Sequence, residues 1–117
     1  MSHLKNLDLN LGYTDINPEF LIKMFKNISN AKNIKILSMN LECTRPIPMY
    51  FNRAMRELYP LQKVEDLTIH VSNNSMREEG IYAVADLCCN MANLTVLKIY
   101  LRKYLSFNPV LKCQTKV

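Results

Sequence analysis

Four copies of one segment decide the fold: Leu4-Lys-Asn-Leu7-Asp-Leu9-Asn-Leu11, Ile34-Lys-Ile-Leu37-Ser-Met39-Asn-Leu41, Val64-Glu-Asp-Leu67-Thr-Ile69-His-Val71 and Leu94-Thr-Val-Leu97-Lys-Ile99-Tyr-Leu101. The copies begin at residues 4, 34, 64 and 94, which is a constant spacing of 30 with no gap. Within each copy, apolar and polar residues alternate over about five positions, as they do in a β-strand that is buried on one face. The sequence therefore predicts four strands in constant register.

Between the strands the apolar residues follow the period of an α-helix. Three groups, 30 residues apart, form similar apolar faces: Phe20, Leu21, Met24, Phe25 and Ile28; Tyr50, Phe51, Ala54, Met55 and Leu58; and Ile81, Val84, Ala85 and Cys88. Helix starts are marked by Asn17-Pro18, by Pro48 and by Ser75 with Glu78, which resembles a capping box. The predicted unit is strand, loop, helix, loop.

Stacked units of this kind bury their apolar faces together, with a parallel sheet on one side and a row of helices on the other. Equivalent residues then form columns in the core. Three columns are predicted: Leu7, Leu37, Leu67 and Leu97; Leu9, Met39, Ile69 and Ile99; and Leu21, Phe51 and Ile81.

Two stretches carry a resemblance to a known family. Ile69-His-Val71-Ser-Asn-Asn74 follows the strand pattern LxLxLxxN, and residues 79–94 resemble that family's helix and its run into the next strand. The chain resembles leucine-rich repeat proteins of the ribonuclease-inhibitor-like subfamily over roughly residues 4–101. The family's Asn position reads Thr14, Thr44, Asn74 and Tyr104. Thr can still bond neighbouring backbone groups there, whereas Tyr104 cannot do so in the same way.

The resemblance implies an α/β leucine-rich repeat solenoid with a 30-residue repeat. Its curved parallel sheet of four strands forms one face, and three α-helices form the other. The repeat domain is expected to span residues 1–104. Residues 105–117 are expected to form a tail or the stub of a fourth helix, because Asn108-Pro109 repeats the helix-start signal.

Composition excludes several classes of protein. The chain has 117 residues, which is room for one domain, and 49% of them are hydrophobic, which argues against disorder. With only two glycines it has no glycine-rich phosphate loop, and no apolar run approaches the 18 residues of a membrane span. We expect no cofactor, and Met24, Met55 and Met91 are expected to fill the core rather than to bind a metal.

The four cysteines, Cys43, Cys88, Cys89 and Cys113, match no zinc spacing. Together with an N-terminus that lacks the features of a signal or transit peptide, they suit a reducing intracellular compartment. A cytoplasmic, cytoskeletal or ciliary location is expected, with a mitochondrial one as the alternative.

The family implies protein binding on the concave face of the sheet. Every second strand residue faces that side, and the predicted binding residues are Asp8, Asn10, Ser38, Asn40, Thr68, His70, Lys98, Tyr100 and Arg102. The face is neutral or acidic at the first strand and basic at the fourth. Tyr and Arg are enriched at binding hot spots, and both occur at the fourth strand. An ordinary solvated sheet face is the alternative.

The sequence supports catalysis and nucleic-acid binding less well than protein binding. His70 with Cys43 would be a nucleophile pair, and Asp8 with Asp66 an acid/base pair, but no orienting group or pocket is predicted beside either. The net charge of +5 comes largely from cations on helices and turns, mixed with acidic residues, rather than from one stripe. We therefore expect no enzyme activity, and the charge pattern argues against nucleic acid.

The two ends of the sheet suggest how partners bind. No polar capping helix is predicted before the first strand, and the predicted fourth helix stops early, so both ends would expose apolar surface and unpaired backbone. The sequence thus predicts a non-enzymatic protein-interaction module, a small scaffold or accessory subunit whose ends are covered by several subunits of one complex. The alternative is a substrate-recognition or regulatory segment of a longer protein, such as a ubiquitin-ligase or kinase-associated adaptor.

Overall fold

The computed structural model describes residues 3–42, 44, 48–71 and 78–100. Strands and helices alternate in them: β1 (Asn6–Asn10), α1 (Pro18–Ile28), β2 (Ile36–Asn40), α2 (Pro48–Glu57), β3 (Asp66–His70), α3 (Glu78–Asn90) and β4 (Val96–Tyr100). The four strands form one parallel sheet in the order β1-β2-β3-β4. The predicted α/β architecture of a four-stranded parallel sheet with three helices is confirmed.

The register of the sheet is the one that the sequence spacing predicts. Leu7 is opposite Leu37, Leu37 is opposite Leu67, and Leu67 is opposite Leu97. Side chains of a strand point alternately to the two faces of the sheet, so a slip of one residue would turn every apolar side chain outwards. The constant register therefore places each apolar column on one face.

Backbone hydrogen bonds in the helix–strand turns link each unit to the next. The carbonyl oxygen of Lys5 accepts the N–H groups of Lys35, at 2.7 Å, and Ile36, at 3.1 Å. The carbonyls of Lys35 and Glu65 each accept two N–H groups from the following unit in the same way. Neighbouring units are thus joined at the point where their strands begin.

The start of α1 is capped as predicted. The side-chain oxygen of Asn17 accepts the N–H groups of Glu19 and Phe20, at 2.9 and 3.2 Å, and Pro18 occupies the first turn. These two bonds satisfy donors that have no partner inside the helix. α2 begins at Pro48, also as predicted, and α3 begins at Glu78, whereas Ser75 lies outside the described residues.

The predicted core columns are buried in the middle of the sheet and half-buried at its sides. Leu37, Met39, Leu67 and Ile69 have no exposed surface, and the helix column of Leu21, Phe51 and Ile81 is at most 4% exposed. The equivalent residues of the outer strands, Leu7, Leu9, Leu97 and Ile99, are only partly buried. Each central strand has neighbours on both sides, and each outer strand has one.

Phe20 departs from the predicted helix face. Its side chain is 59% exposed, while the buried stripe of α1 runs through Leu21, Phe25 and Ile28. Consecutive residues of an α-helix lie 100° apart around its axis, because a turn takes 3.6 residues. Phe20 therefore lies at the border of the stripe rather than on it.

The Thr14 and Thr44 hydroxyls bond the backbone, as the sequence predicts. The Thr14 hydroxyl donates to the carbonyl of Leu11 at 2.6 Å, and the Thr44 hydroxyl donates to that of Leu41 at 2.8 Å. Asn74, Tyr104 and the predicted tail at 105–117 lie outside the described residues. None of the described helices has the length and apolar character that crossing a membrane requires.

A core substitution tests the column assignment. We expect Leu67→Ala to lower the free energy of unfolding by about 2–5 kcal/mol, because it removes buried methyl groups and leaves a cavity. The neighbouring Thr68→Ala, on the open face, is the matched control and is expected to change stability by less than about 0.5 kcal/mol. Urea melts measure both variants. Similar melts for the two would contradict the assignment of strand faces.

A second test uses the thiol of Cys88, which is 3% exposed and occupies the place of Ile28 and Leu58 in the earlier units. We expect it to react slowly with a thiol reagent in the folded protein and quickly in denaturant. Lys32→Cys, in an exposed turn, is the control that should react at once. Mass spectrometry locates the label, and fast labelling of folded Cys88 would show that the register of α3 is wrong.

Candidate functional site

One face of the sheet is open. Burial alternates along every strand, and the residues of β2 and β3 that point away from the core are half-buried or exposed. On β1 and β4 the same positions are exposed. The strand register arranges these side chains in three rows across the sheet, one beginning at Asn6, one at Asp8 and one at Asn10. We call this surface the open sheet face.

Most of the predicted binding residues meet on this face. An open depression of about 380 Å³ is lined by Asp8, Asn10, Ser38, Met39, Asn40, Thr68, His70 and Tyr100. Seven of the nine predicted residues belong to that lining. Lys98 is exposed on β4, in register with Thr68, and Arg102 lies outside the described residues. The structure thus brings the predicted residues together, whereas a role in binding remains a prediction.

Two asparagines at the edge of the depression are fixed by the backbone. The side-chain oxygen of Asn10 accepts the N–H of Gly12 at 3.0 Å, and that of Asn40 accepts the N–H of Glu42 at 2.9 Å. Asn side chains often bond the backbone two residues further on. With their oxygens engaged, both residues keep amide N–H groups that can donate to a ligand.

Close packing around Gly12, as well as hydrogen bonding, fixes the two asparagine side chains at this end of the strands. A Cβ atom at Gly12 would lie 3.3 Å from the Asn10 oxygen and 3.3 Å from the Asn40 nitrogen, which is a tight contact. Gly12 therefore lets the two asparagines lie close together.

His70 lies between an acid and an aromatic ring. Its Nε2 is 3.8 Å from a carboxylate oxygen of Glu42, and its ring centroid is 5.2 Å from that of Tyr100, with the planes tilted by 55°. The distance to Glu42 is too long for a hydrogen bond, and an ion pair forms only when His70 is protonated. The tilted ring pair is a favourable aromatic arrangement.

The contact of Glu42 with His70 was not predicted from the sequence, in which Glu42 stands two residues after Asn40. Because Asn40 is in register with His70, the turn that follows β2 brings Glu42 next to the neighbouring strand. The signal was therefore present in the register, but using it required the geometry of the turn.

The described structure adds no support for the two catalytic pairs considered from the sequence. Cys43 lies outside the described residues, so the pair with His70 is untested. Asp8 and Asp66 lie in different rows, since Asp8 is in register with Ser38 and Asp66 with Ile36. Among the residues that the structure describes, no three His, Cys, Asp or Glu side chains are grouped as metal ligands.

Most of the exposed cations in the described part of the chain lie away from the open sheet face, whereas Lys98 lies on it. Lys23, Lys26, Arg53 and Arg56 are on helices, and Lys32, Lys35 and Lys63 are in the turns. Cations in the last turn of a helix interact favourably with its dipole, as Lys26 and Arg56 do. This distribution favours a solvated outer surface, as predicted.

One tyrosine on the other side of the molecule, Tyr59, has a raised pKa with a structural explanation. Burial raises the pKa of the Tyr59 phenol; Asp86 raises it further and Arg56 opposes the change. The carbonyl of the same residue accepts a hydrogen bond from the Gln62 side chain at 2.6 Å. Tyr59 belongs to the turn after α2 and packs against the core, so this shift does not mark a second site.

The neighbouring cysteines differ in their chemistry. Cys88 is buried, and Cys89 is disulfide-bonded. Disulfides are rare in reducing compartments, so this disulfide does not support the reducing compartment that was predicted from the four cysteines. That location remains a prediction.

Comparisons with known proteins found no match: no family model, no curated protein and no solved structure is similar to this chain. The proposals below therefore depend on the residues and geometry of this chain.

Proposed function

We propose that the chain is a non-enzymatic protein-interaction module, built as a leucine-rich repeat solenoid, that binds a partner on the open sheet face. The observation that carries the proposal is the open depression, where seven predicted residues meet. Its chemistry is that of a binding surface, because hydroxyl, amide and aromatic groups adjoin exposed apolar side chains. Ile36 and Val96 are 43% and 40% exposed, and Tyr100 is 51% exposed.

The shape of the face supports binding rather than catalysis. Catalytic groups act best in a site that excludes water, where electrostatic interactions are strong. The depression is open, and the described contact of Glu42 with His70 beside it is 3.8 Å long. A broad surface of this kind suits contact with another macromolecule.

The biological role we propose is that of a small scaffold or accessory subunit of a larger assembly. The alternative is a substrate-recognition or regulatory segment of a longer protein. Both use the same face, so they differ in what the chain is joined to and not in the chemistry of contact. An intracellular location belongs to the proposal.

Substitution at the centre of the face tests the proposal. Thr68 lies midway across the depression, and we expect Thr68→Arg to weaken partner binding at least about tenfold, because a long charged side chain would occupy the contact surface. Asp86→Arg, on the exposed side of α3, is the control for added positive charge. The measurement is photo-cross-linking from Tyr100 in native extracts, followed by titration of the captured partner. Equal binding by the two variants would contradict the proposal.

The sides of the sheet give a second contact that we propose for other subunits. Leu7 and Leu9 are half-buried on β1, although Leu37 and Met39 beside them are fully buried. β1 also lies at the edge of the described sheet, where an added strand can pair with the backbone.

Hydrogen exchange of the native complex tests this second contact. We expect the amides of residues 7–11 and 98–100 to exchange more slowly in the complex than in the isolated chain. The amides of residues 37–39 are the control, because β2 is already paired on both sides. Unchanged exchange at both outer strands would overturn the idea that subunits cover them.

A further inference from the structure

The second row of the open sheet face has opposite charges at its two ends. Strand pairing places Asp8, Ser38, Thr68 and Lys98 side by side, one from each strand. Parallel strands lie about 4.8 Å apart, so three spacings separate the backbones of Asp8 and Lys98 by about 14 Å. A negative end and a positive end thus stand on either side of two hydroxyl groups.

The charges around this row strengthen its acidic end. Asp8 lies on the outer strand β1, and Glu42 follows the adjacent strand β2. Glu42 also faces His70, with 3.8 Å between a carboxylate oxygen and Nε2. Lys98 is exposed on β4. The face therefore offers an anionic region over β1 and β2 and a cationic one over β4, although the whole chain carries a net charge of +5.

The distance between the two charges limits what can lie along the row. In an α-helix, side chains on the same side are about seven or eleven residues apart, which is about 10 or 16 Å at a rise of 1.5 Å per residue, so neither spacing fits the separation of about 14 Å. An extended chain is also narrower than a helix, and the side chains on one side of it can enter the open depression of about 380 Å³.

We propose that the open sheet face binds an extended peptide segment with a basic and an acidic residue four positions apart, lying across the strands. The basic residue contacts Asp8 and the acidic residue contacts Lys98. This inference rests on the proposed protein-binding function and specifies the partner's chemistry.

The spacing follows from strand geometry. An extended chain rises about 3.4 Å per residue, so four residues cover about 14 Å. Side chains i, i+2 and i+4 then point to the same side. Residue i+2 lies over the middle of the row, where Ser38 and Thr68 favour a small polar side chain. The fixed amides of Asn10 and Asn40 border the same path and can donate to peptide carbonyls.

Two synthetic nonapeptides of equal composition test the spacing. In the first, Lys and Glu are four residues apart with Ser at the middle position, and in the second they are adjacent. We expect the first to bind several-fold more tightly, with amide shifts at Ser38 and Thr68 in NMR titrations. A stapled helical peptide with the charges about eleven residues apart, and therefore on the same side of the helix, is the third probe. Equal or tighter binding of the adjacent-charge or helical peptide would overturn the proposal.

Charge reversal tests the contacts themselves. Asp8→Lys and Lys98→Glu are each expected to weaken binding of the first peptide about three- to tenfold, since an attraction becomes a repulsion at an exposed pair. The double variant should recover the affinity, because the peptide can turn around on the sheet. Asp86→Lys and Lys23→Glu make the same changes of charge on the helices and should have no effect.

The outcomes separate this inference from the proposed function. If single reversals leave peptide affinity unchanged, or the double variant does not recover it, the charge-matched peptide is wrong. Loss of partner binding in Thr68→Arg would still support the face as a protein-binding surface. Thermal melts of each variant show that it is folded, so that lost affinity is assigned to the contact.

Discussion

The architecture depends on the turn carbonyls that join one strand–helix unit to the next. The oxygens of Lys5, Lys35 and Glu65 each accept two N–H groups from the following unit, so every strand starts at the same height as its neighbour. Strand pairing then continues the same register, and a core column needs an apolar residue every 30 positions. Leu37 and Leu67 are fully buried because this condition is met on both of their sides.

The same constraint also sets what is left uncovered. With the helices on one face, the polar side chains of the other face are arranged in straight rows by the register alone. The outer strands keep their apolar residues half-buried because the columns stop there within the described sheet. The open sheet face and the core are therefore produced by one pattern of alternation, and a change in register would destroy both.

Periodic features could be predicted from the sequence, since a repeat of 30 with strict alternation leaves few arrangements of strands and helices. Local features that break the period could not. Tyr13 adopts a left-handed backbone with φ of 60°, beside Gly12, where a glycine would adopt it with less strain. Its N–H bonds the carbonyl of Glu42 at 2.8 Å, so a contact in the next unit holds it there. The contact of Glu42 with His70 escaped prediction for the same reason.

Net charge is a poor guide to this surface. The cations in the described part of the chain lie mainly on the helices and in the turns, and two of them, Lys26 and Arg56, occupy positions where helix dipoles favour them. The open sheet face has its own distribution, with Asp8 and Glu42 at one side and Lys98 at the other. Salt screens exposed charges beyond about 8–10 Å, so a partner of the proposed kind would respond to these nearby groups more than to the cations behind the sheet. In the proposed binding mode, specificity comes from the order of charges along a row, which the register determines.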